Sequence, residues 1–377
     1  MSDEGPILVT GVNGYLGARA AEAVLKAGYS VRGTVRKVDA GQKTKDALVA
    51  LGYDASRIEL VEVPDISPEG AFDKAVVGCS AILHVAAPIT DIFVLAPPDV
   101  VRVATEATTR IVDSAIKYAG PELRSIVLMS SSAALFDIPP VPARYDENNW
   151  AENSYKAVMT PEILEKIDPA HRPLMAYAAA KLHSEREFWK KRDEVAAAGG
   201  DHAKISFTAI QATWFFGPPV VPWPSAKALP YSASWLTRVL AGEDPAAARM
   251  MAGTLPSEAA IDVRDVARVL VWAALNPDKA DGERFLCSAG AGGSQAVADI
   301  LDRVSKTGEV PELSGYVVKN KGTPGKGYGP DYSLKTDEPA LEFDGSKVVK
   351  ATGVDYIPFE QSVLDTVKFA LPVVTQS

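Results

Sequence analysis

The chain runs to 377 residues, 47% of them hydrophobic and 23% charged, with a formal net charge of −9. That size suits one large α/β domain with a smaller appendage, or two domains. The negative balance argues against a nucleic-acid partner, which needs a basic face for phosphates. The start Met1 to Pro6 has no basic or apolar leader, and no apolar run reaches membrane-spanning length, so a cytoplasmic protein with no membrane partner is expected.

The first element is a short apolar strand, Ile7 to Val9, which breaks into Thr10-Gly11-Val12-Asn13-Gly14-Tyr15-Leu16-Gly17. Gly11 permits a tight turn, Gly14 removes a side chain where a pyrophosphate must approach the backbone, and Gly17 lets the following helix pack closely on the strand. The amides and positive dipole end of that helix then face the phosphates. With 28 glycines in the chain, three near each other also suit an ordinary turn. Strand before and helix after favour dinucleotide binding. Leu16, Ala20, Val24 and Ala27 recur at helical spacing, and Gly28 stands where a C-cap belongs.

Tyr29 to Val35 reads as the second strand, Ile58 to Val63 as the third and Ala81 to Val85 as the fourth. Ser125 to Met129 is the fifth and Ile205 to Gln211 the sixth, with helical stretches between. This alternation implies an α/β fold: a Rossmann-like, doubly wound parallel sheet with a smaller C-terminal substrate-binding lobe. The expected division is a nucleotide-binding domain over 1–211, with a pocket-forming insertion at about 136–173. Residues 212–377 form the second lobe, with about 262–288 returning to the first. Asp262 caps a helix carrying Val263, Val266, Ala267, Leu270 and Ala273. Prolines and aromatics with little periodicity fill 136–173 and 217–256, which read as pocket walls. Lys319 to Tyr332 is turn-rich and reads as a mobile loop. Cys79 and Cys287 match no metal spacing and sit beside apolar residues. They read as buried reduced thiols, and no metal is expected.

Ligands of such sheets lie beyond the carboxyl ends of the strands. Tyr177 and Lys181 stand one helical turn apart, so phenol and ammonium can share a face. A nearby cation would bring a phenol's pKa of about 10 toward the working range. Only Tyr177 among the twelve tyrosines has Lys four residues on, although an incidental pair on an exposed helix would look the same. Ser130, Ser131 and Ser132 follow the fifth strand, where a hydroxyl can donate to a substrate carbonyl while Tyr177 supplies the proton. A serine-rich turn is the plain alternative.

As an ordered set these stretches resemble the extended short-chain dehydrogenases/reductases, within them the dihydroflavonol reductase-like branch with its fungal and yeast aldehyde and ketone reductases. The resemblance rests on Thr10 to Gly17, Val31 to Arg36, Pro64-Asp65-Ile66, His84-Val85-Ala86-Ala87-Pro88, the serines before Ala133, and Tyr177 to Lys181. Phe216-Gly217-Pro218, Phe343 to Lys347 and Gly353-Val354 extend it over nearly the whole chain. It implies hydride transfer between NADPH and a carbonyl by a serine–tyrosine–lysine triad. Ser132 would orient the carbonyl, with Ser131 the runner-up. Tyr177 would donate the proton, and Lys181 would hold the nicotinamide ribose and lower the tyrosine pKa. Around the cofactor the resemblance sets Gly11, Asn13, Gly14, Tyr15, Leu16, Gly17, Asp65, Ile66, Val85, Ala86, Ala87, Pro88, Ala212 and Phe215. Ala212 departs from the proline usual there, and the 319–332 loop is longer than the family pattern suggests. His84 reads as a packed histidine.

NAD enzymes of this fold place an acid after the second strand. This chain offers Arg36-Lys37, then Lys43 and Lys45, against Asp39. Cations there suit a 2′-phosphate and favour NADPH, with a solvated basic stretch as the bland alternative. Ile89, Phe93, Phe136, Trp214 and Trp223 are the candidate pocket walls for an apolar or aromatic carbonyl compound. The rivals are an NAD-dependent sugar-nucleotide epimerase or dehydratase and a non-catalytic NADP-binding redox regulator. The first needs cations for a second diphosphate, and Ala212 to Leu240 holds only Lys227 and Arg238. The second has no use for a serine–tyrosine–lysine set. The protein is expected as a monomer or homodimer.

Overall fold

The computed structural model describes residues 5–87, 94–248, 259–335 and 340–375. Two compact units emerge. The first comprises 1–139, 147–211 and 267–285, the second 140–146, 212–266 and 286–377. The chain thus returns 267–285, and not all of 262–288, to the first unit, and 140–146 leaves the 136–173 insertion for the second.

In chain order the first part of the chain runs β1 (Ile7–Val9), α1 (Tyr15–Lys26), β2 (Val31–Val35), α2 (Val38–Ala50), β3 (Ile58–Glu62), α3 (Asp73–Val76), β4 (Ala81–His84), α4 (Pro97–Tyr118) and β5 (Ser125–Met129). It continues with β6 (Ala143–Tyr145), α5 (Glu152–Met159), α6 (Pro161–Leu164), α7 (Arg172–Ala198) and β7 (Ser206–Ala212). Then come β8 (Trp214–Phe216), α8 (Ser234–Ala241), α9 (Pro245–Ala248), β9 (Ala259–Asp262), α10 (Val263–Leu275), α11 (Pro277–Ala280) and β10 (Arg284–Cys287). The last are β11 (Ala291–Gly292), α12 (Ser294–Thr307), β12 (Leu341–Phe343), α13 (Ser346–Thr352) and α14 (Phe359–Val374).

The first unit is built on a seven-stranded sheet in the order β10-β7-β5-β4-β1-β2-β3. Ile7 pairs in parallel with both Val31 and Ala81, so the strand order reverses between β1 and β4. That reversal opens a crevice at the carboxyl ends of these two strands. Strands β1, β4, β5 and β7 are buried along their whole length, as a sheet covered on both faces requires. Leu8, Ile82, Ile126 and Leu128 point to one face, where they pack with Phe72 and Val76 of the α3 region, Ile111 and Ala115 of α4, and Phe188 of α7. Cys79 lies in this core, and burial pushes its thiol up to about 11. Cys287 is also a buried free thiol.

The second unit has a small sheet, β11-β9-β8, and the pair β12-β6. Its core joins Phe216, Trp235, Leu236 and Val239 to apolar faces of α12 and α14. Trp235 is fully buried against Phe216, ring centroids 4.5 Å apart, so it is a core residue rather than a pocket wall. Asp262 accepts the Arg264 amide at 2.8 Å and thereby caps α10. Its carboxylate also takes both arms of the Arg264 guanidinium and the Ser362 hydroxyl. Gly217 lies against that carboxylate at φ +116, and a Cβ there would stand 2.8 Å from Asp262 Oδ1.

The 319–332 stretch is fastened, contrary to the expectation of a mobile loop. Asp299 on α12 takes the Gly325 amide at 2.7 Å and the Tyr328 hydroxyl at 2.6 Å, and Gln295 bonds Thr323 and the Lys321 carbonyl. Tyr332 stacks on Tyr328 and bonds Glu360. The 136–173 insertion gains α5 and α6, short helices whose weak periodicity hides them in the sequence.

Candidate active site

The turn between β1 and α1 has the geometry its glycines suggest. Gly11 sits at φ +66, and its amide donates to Thr34 Oγ1 at 3.1 Å. At Gly17 a Cβ would stand 2.2 Å from the Gly11 carbonyl oxygen, so only glycine lets the helix lie this close. At Gly14 it would meet only that oxygen, at 3.2 Å, and otherwise open space. The N-cap of α1 is Gly14, which has no side chain to cap it with, and the first turn holds no acid. Asn13 and Gly14 are exposed and Tyr15 partly so, while Leu16 is a core side chain backing the turn. A helix N-terminus with a glycine cap and no acid in its first turn suits an anion.

Past β2, Arg36, Lys37 and Lys43 are exposed. Lys45 is committed elsewhere and donates to the Ile58 carbonyl at 2.8 Å. Past β3, Asp65 is exposed and caps the Ser67 amide at 2.9 Å, with Ile66 partly buried beside it. After β4, Val85 and Ala86 both donate their amides to Thr10 Oγ1 at 2.9 Å. The Thr10 hydroxyl then has its own proton for His84 Nδ1, 3.1 Å away, which leaves the ring proton on Nε2. Burial, with Lys181 nearby, drives His84 down to about 3, so it is a neutral packed ring edge-on to Phe72. Thr10 ties the two strand ends of the crevice together, a role its place just before the glycine turn could have signalled.

The chemistry-bearing groups meet beyond β4 and β5. His84, Ala86, Ala87, Met129, Ser130, Tyr177, Lys181 and Ser184 line one small cavity, closed on the α4 side by Ala104, Ala107 and Thr108. The Lys181 ammonium donates to the Met129 carbonyl at 3.1 Å and lies 5.9 Å from the Tyr177 ring centre. Of the three serines, Ser131 is the one whose hydroxyl acts on the Tyr177 phenol, favouring its ionised form. Ser131 is buried and also accepts the Ala133 amide at 3.1 Å, whereas Ser132 opens the short 3-10 turn that follows. The backbone at Ser131, the runner-up to Ser132, is still extended at φ −160 and ψ 153 before the turn begins.

Electrostatics correct a second expectation. Burial pushes the Tyr177 phenol up from its ordinary value, and the Ser131 hydrogen bond only opposes that rise. The phenol is thus a protonated group at neutral pH. Burial lowers Lys181 to about 8, partly offset by Glu185.

Sequence reasoning passed over the buried cluster behind these groups. Glu185 is fully buried and accepts from Ser130 Oγ at 2.6 Å, Gln211 at 2.7 Å and Arg284 Nε at 2.6 Å. Its signal was its position, one more turn beyond Lys181 on the same face of α7.

Pro88, Ile89 and Phe93 lie outside the described residues. Phe136 is buried in the first unit. In the second unit, Ala212 is buried at the end of β7, and Phe215, Trp214 and Trp223 are partly exposed. Trp214 packs edge-on to Tyr231 at 6.2 Å. Among the described residues no group of His, Cys, Asp and Glu could hold a metal ion, and no helix is long and apolar enough to cross a membrane.

Residues 7–287 match the NAD dependent epimerase/dehydratase family. The chain belongs to that family. Among its relatives, a ketoreductase of Aspergillus niger is 26% identical over 366 residues, 96% of each chain. Aldehyde reductase 2 of Sporidiobolus salmonicolor is 33% identical over 193 residues, 50% of this chain and 52% of that one. The fold is also that of the yeast methylglyoxal/isovaleraldehyde reductase, solved with NADPH, at TM-score 0.75 and 24% identity over 99% and 100% of the two chains. Within the epimerase/dehydratase family, this chain keeps company with reductases.

Proposed function

We propose that the protein is an NADPH-dependent carbonyl reductase that turns an aldehyde or ketone into an alcohol. The observation that carries this reading is the meeting of the Tyr177 phenol and the Lys181 ammonium with Ser130 in one cavity, with Ser131 acting on the phenol, at the strand ends beside the glycine turn. The similarity to ketoreductases and aldehyde reductases supports it.

NADPH, when bound, supplies the hydride. The glycine-capped helix end behind Gly11, Gly14 and Gly17 suits its pyrophosphate, and the exposed Arg36 and Lys43 suit its 2′-phosphate. Asp65, Ile66, Val85, Ala86 and Ala87, all of the first unit, would border the cofactor. Ser131, rather than Ser132, orients the carbonyl oxygen. Tyr177, kept protonated by its buried setting, gives that oxygen its proton as the negative charge develops. Lys181 places a cation next to both. Trp214 and Trp223 of the second unit are partly exposed apolar side chains that suit a substrate.

The test is NADPH oxidation against a panel of aldehydes, ketones, diketones and keto esters. Tyr177→Phe, which deletes only the transferable proton, should lower turnover by about 10²–10⁴ while leaving NADPH affinity nearly intact. Near-normal kcat in that variant would refute the assignment. An epimerase returns its hydride to the same substrate and gives no net NADPH oxidation, so the same assay separates the two chemistries.

A further inference from the structure

Helix α7 grips the end of β5 through three successive residues. Lys181 donates to the Met129 carbonyl at 3.1 Å and Glu185 takes Ser130 Oγ at 2.6 Å, while the Ser131 hydroxyl acts on the Tyr177 phenol. The helix residues are spaced four apart and so lie on one face. The middle rung, Ser130, stands between the two strand residues that act on the proposed proton donor and its cation.

Glu185 is itself immobilised. Its second oxygen accepts from Gln211 at 2.7 Å, from Arg284 Nε at 2.6 Å and from Trp189 at 3.4 Å. Every contact is a donor, the pattern that suits a carboxylate. Arg284 in turn stacks on Trp150, 3.6 Å from the ring centre, and donates to the carbonyls of Glu147 and Asn149. A buried ion pair is a poor source of stability, since desolvation offsets most of the attraction. One placed a single turn from the reacting groups calls for another reason.

We propose that Glu185 is a positioning residue for the reduction: held by Arg284 and Gln211, it fixes Ser130 and so sets Ser131 and the Met129 carbonyl at the right distance from Tyr177 and Lys181. It touches neither substrate nor cofactor. The inference rests on the reductase reading above. Its second effect is electrostatic, because its charge supports the Lys181 ammonium against burial. The other titratable groups around this pair are His84 from β4, Tyr177 on the same helix and Arg284 from β10. From α4 the cavity receives only Val100, Ala104, Ala107 and Thr108.

The experiment compares Ser130→Ala, Glu185→Gln and the double variant with the wild type. The first readout is the Lys181 amine titration, followed by NMR on the cofactor-free protein. Glu185→Gln should shift its midpoint down, and Ser130→Ala should leave it in place. The second readout is kinetic, with NADPH and whichever carbonyl of the panel the wild type reduces. Each single variant should lose roughly ten- to a hundredfold in kcat with KM nearly unchanged. The double variant should be no worse than Glu185→Gln, since both act through one bond. Wild-type kcat in Ser130→Ala, additive losses, or an unmoved Lys181 midpoint in Glu185→Gln would each overturn the proposal. Should Glu185→Gln fail to fold, Ser130→Ala decides alone. A wild type that reduces no carbonyl would instead sink the reductase reading, while the Lys181 titration still decides the role of Glu185.

Discussion

Gly14 and Gly17 lie one turn apart, yet alanine at the two positions should fail in different ways. At Gly17 the new Cβ would stand 2.2 Å from the Gly11 oxygen, 2.9 Å from its carbon and 3.2 Å from Val12 Cα. These are backbone atoms that no rotamer change can move, and the first contact is roughly 1 Å short of van der Waals separation. Overpacking of this kind costs about 1–3 kcal/mol, set against a helix gain of about 0.5–1 kcal/mol for replacing glycine. Gly17→Ala should therefore lower Tm by a few degrees and also weaken NADPH, because α1 must retreat from the turn. At Gly14, φ is −79, which any residue adopts, and the single contact at 3.2 Å needs only a few tenths of an ångström. Gly14→Ala should melt like the wild type without cofactor. On the proposed reading the methyl group would meet the phosphates, and a tenfold loss of affinity is the expected result. Melting curves with and without NADPH read this directly. At a concentration of 100 times the wild-type Kd, the cofactor should stabilise the wild type by about 2.7 kcal/mol and Gly14→Ala by about 1.4 kcal/mol. A Gly14→Ala protein with the full wild-type shift would refute the phosphate-cradle assignment.

Arg36→Ala should lose about tenfold or more in NADPH affinity with NADH little changed, since a charge-assisted hydrogen bond is worth about 1.5–3 kcal/mol; titration of both cofactors checks it, and equal losses would refute it. Lys181 is lowered to about 8, so its ammonium is present below that value and is lost as pH rises through it. Turnover and cofactor affinity should fall over that limb in a pH profile, and no limb should appear near the ordinary histidine value, because His84 stays neutral. Benzaldehyde-type substrates should exceed acetaldehyde-type ones by at least tenfold in kcat/KM, as burial of one phenyl-sized group is worth roughly 1.5–3 kcal/mol.

Much of this architecture is legible in the residues. The strand before Gly11 and the helix after it are set by an apolar run and glycine spacing, and β5 falls on Ser125–Met129 as its apolar stretch suggests. Strand β10 escapes notice because Arg284-Phe285-Leu286-Cys287 is short and begins with a charge. Which serine acts on Tyr177 is a difference of one residue that composition does not encode. The Glu185–Arg284 pair joins residues 99 apart in sequence, and only the return of 267–285 to the sheet brings them together. The loop fastened by Asp299 looks mobile for the same reason, since its anchors lie on another element. The rise at Tyr177 reflects burial, which a lysine four residues away does not reveal.

Strand β7 is buried along its length, and its outer neighbour in the sheet is β10. A ribosome finishes Ser206–Ala212 well before it reaches Arg284–Cys287. At about 5–20 residues per second that interval lasts several seconds. If β7 pairs with β5 as soon as it emerges, the apolar Phe207, Ala209 and Ile210 then sit on a strand with one unpaired edge, a template for association with another nascent chain. A gene fragment stopped after Gln211 would make that transient permanent and should collect in inclusion bodies, whereas the same fragment supplied with residues 267–287 in trans or through a linker should recover soluble protein.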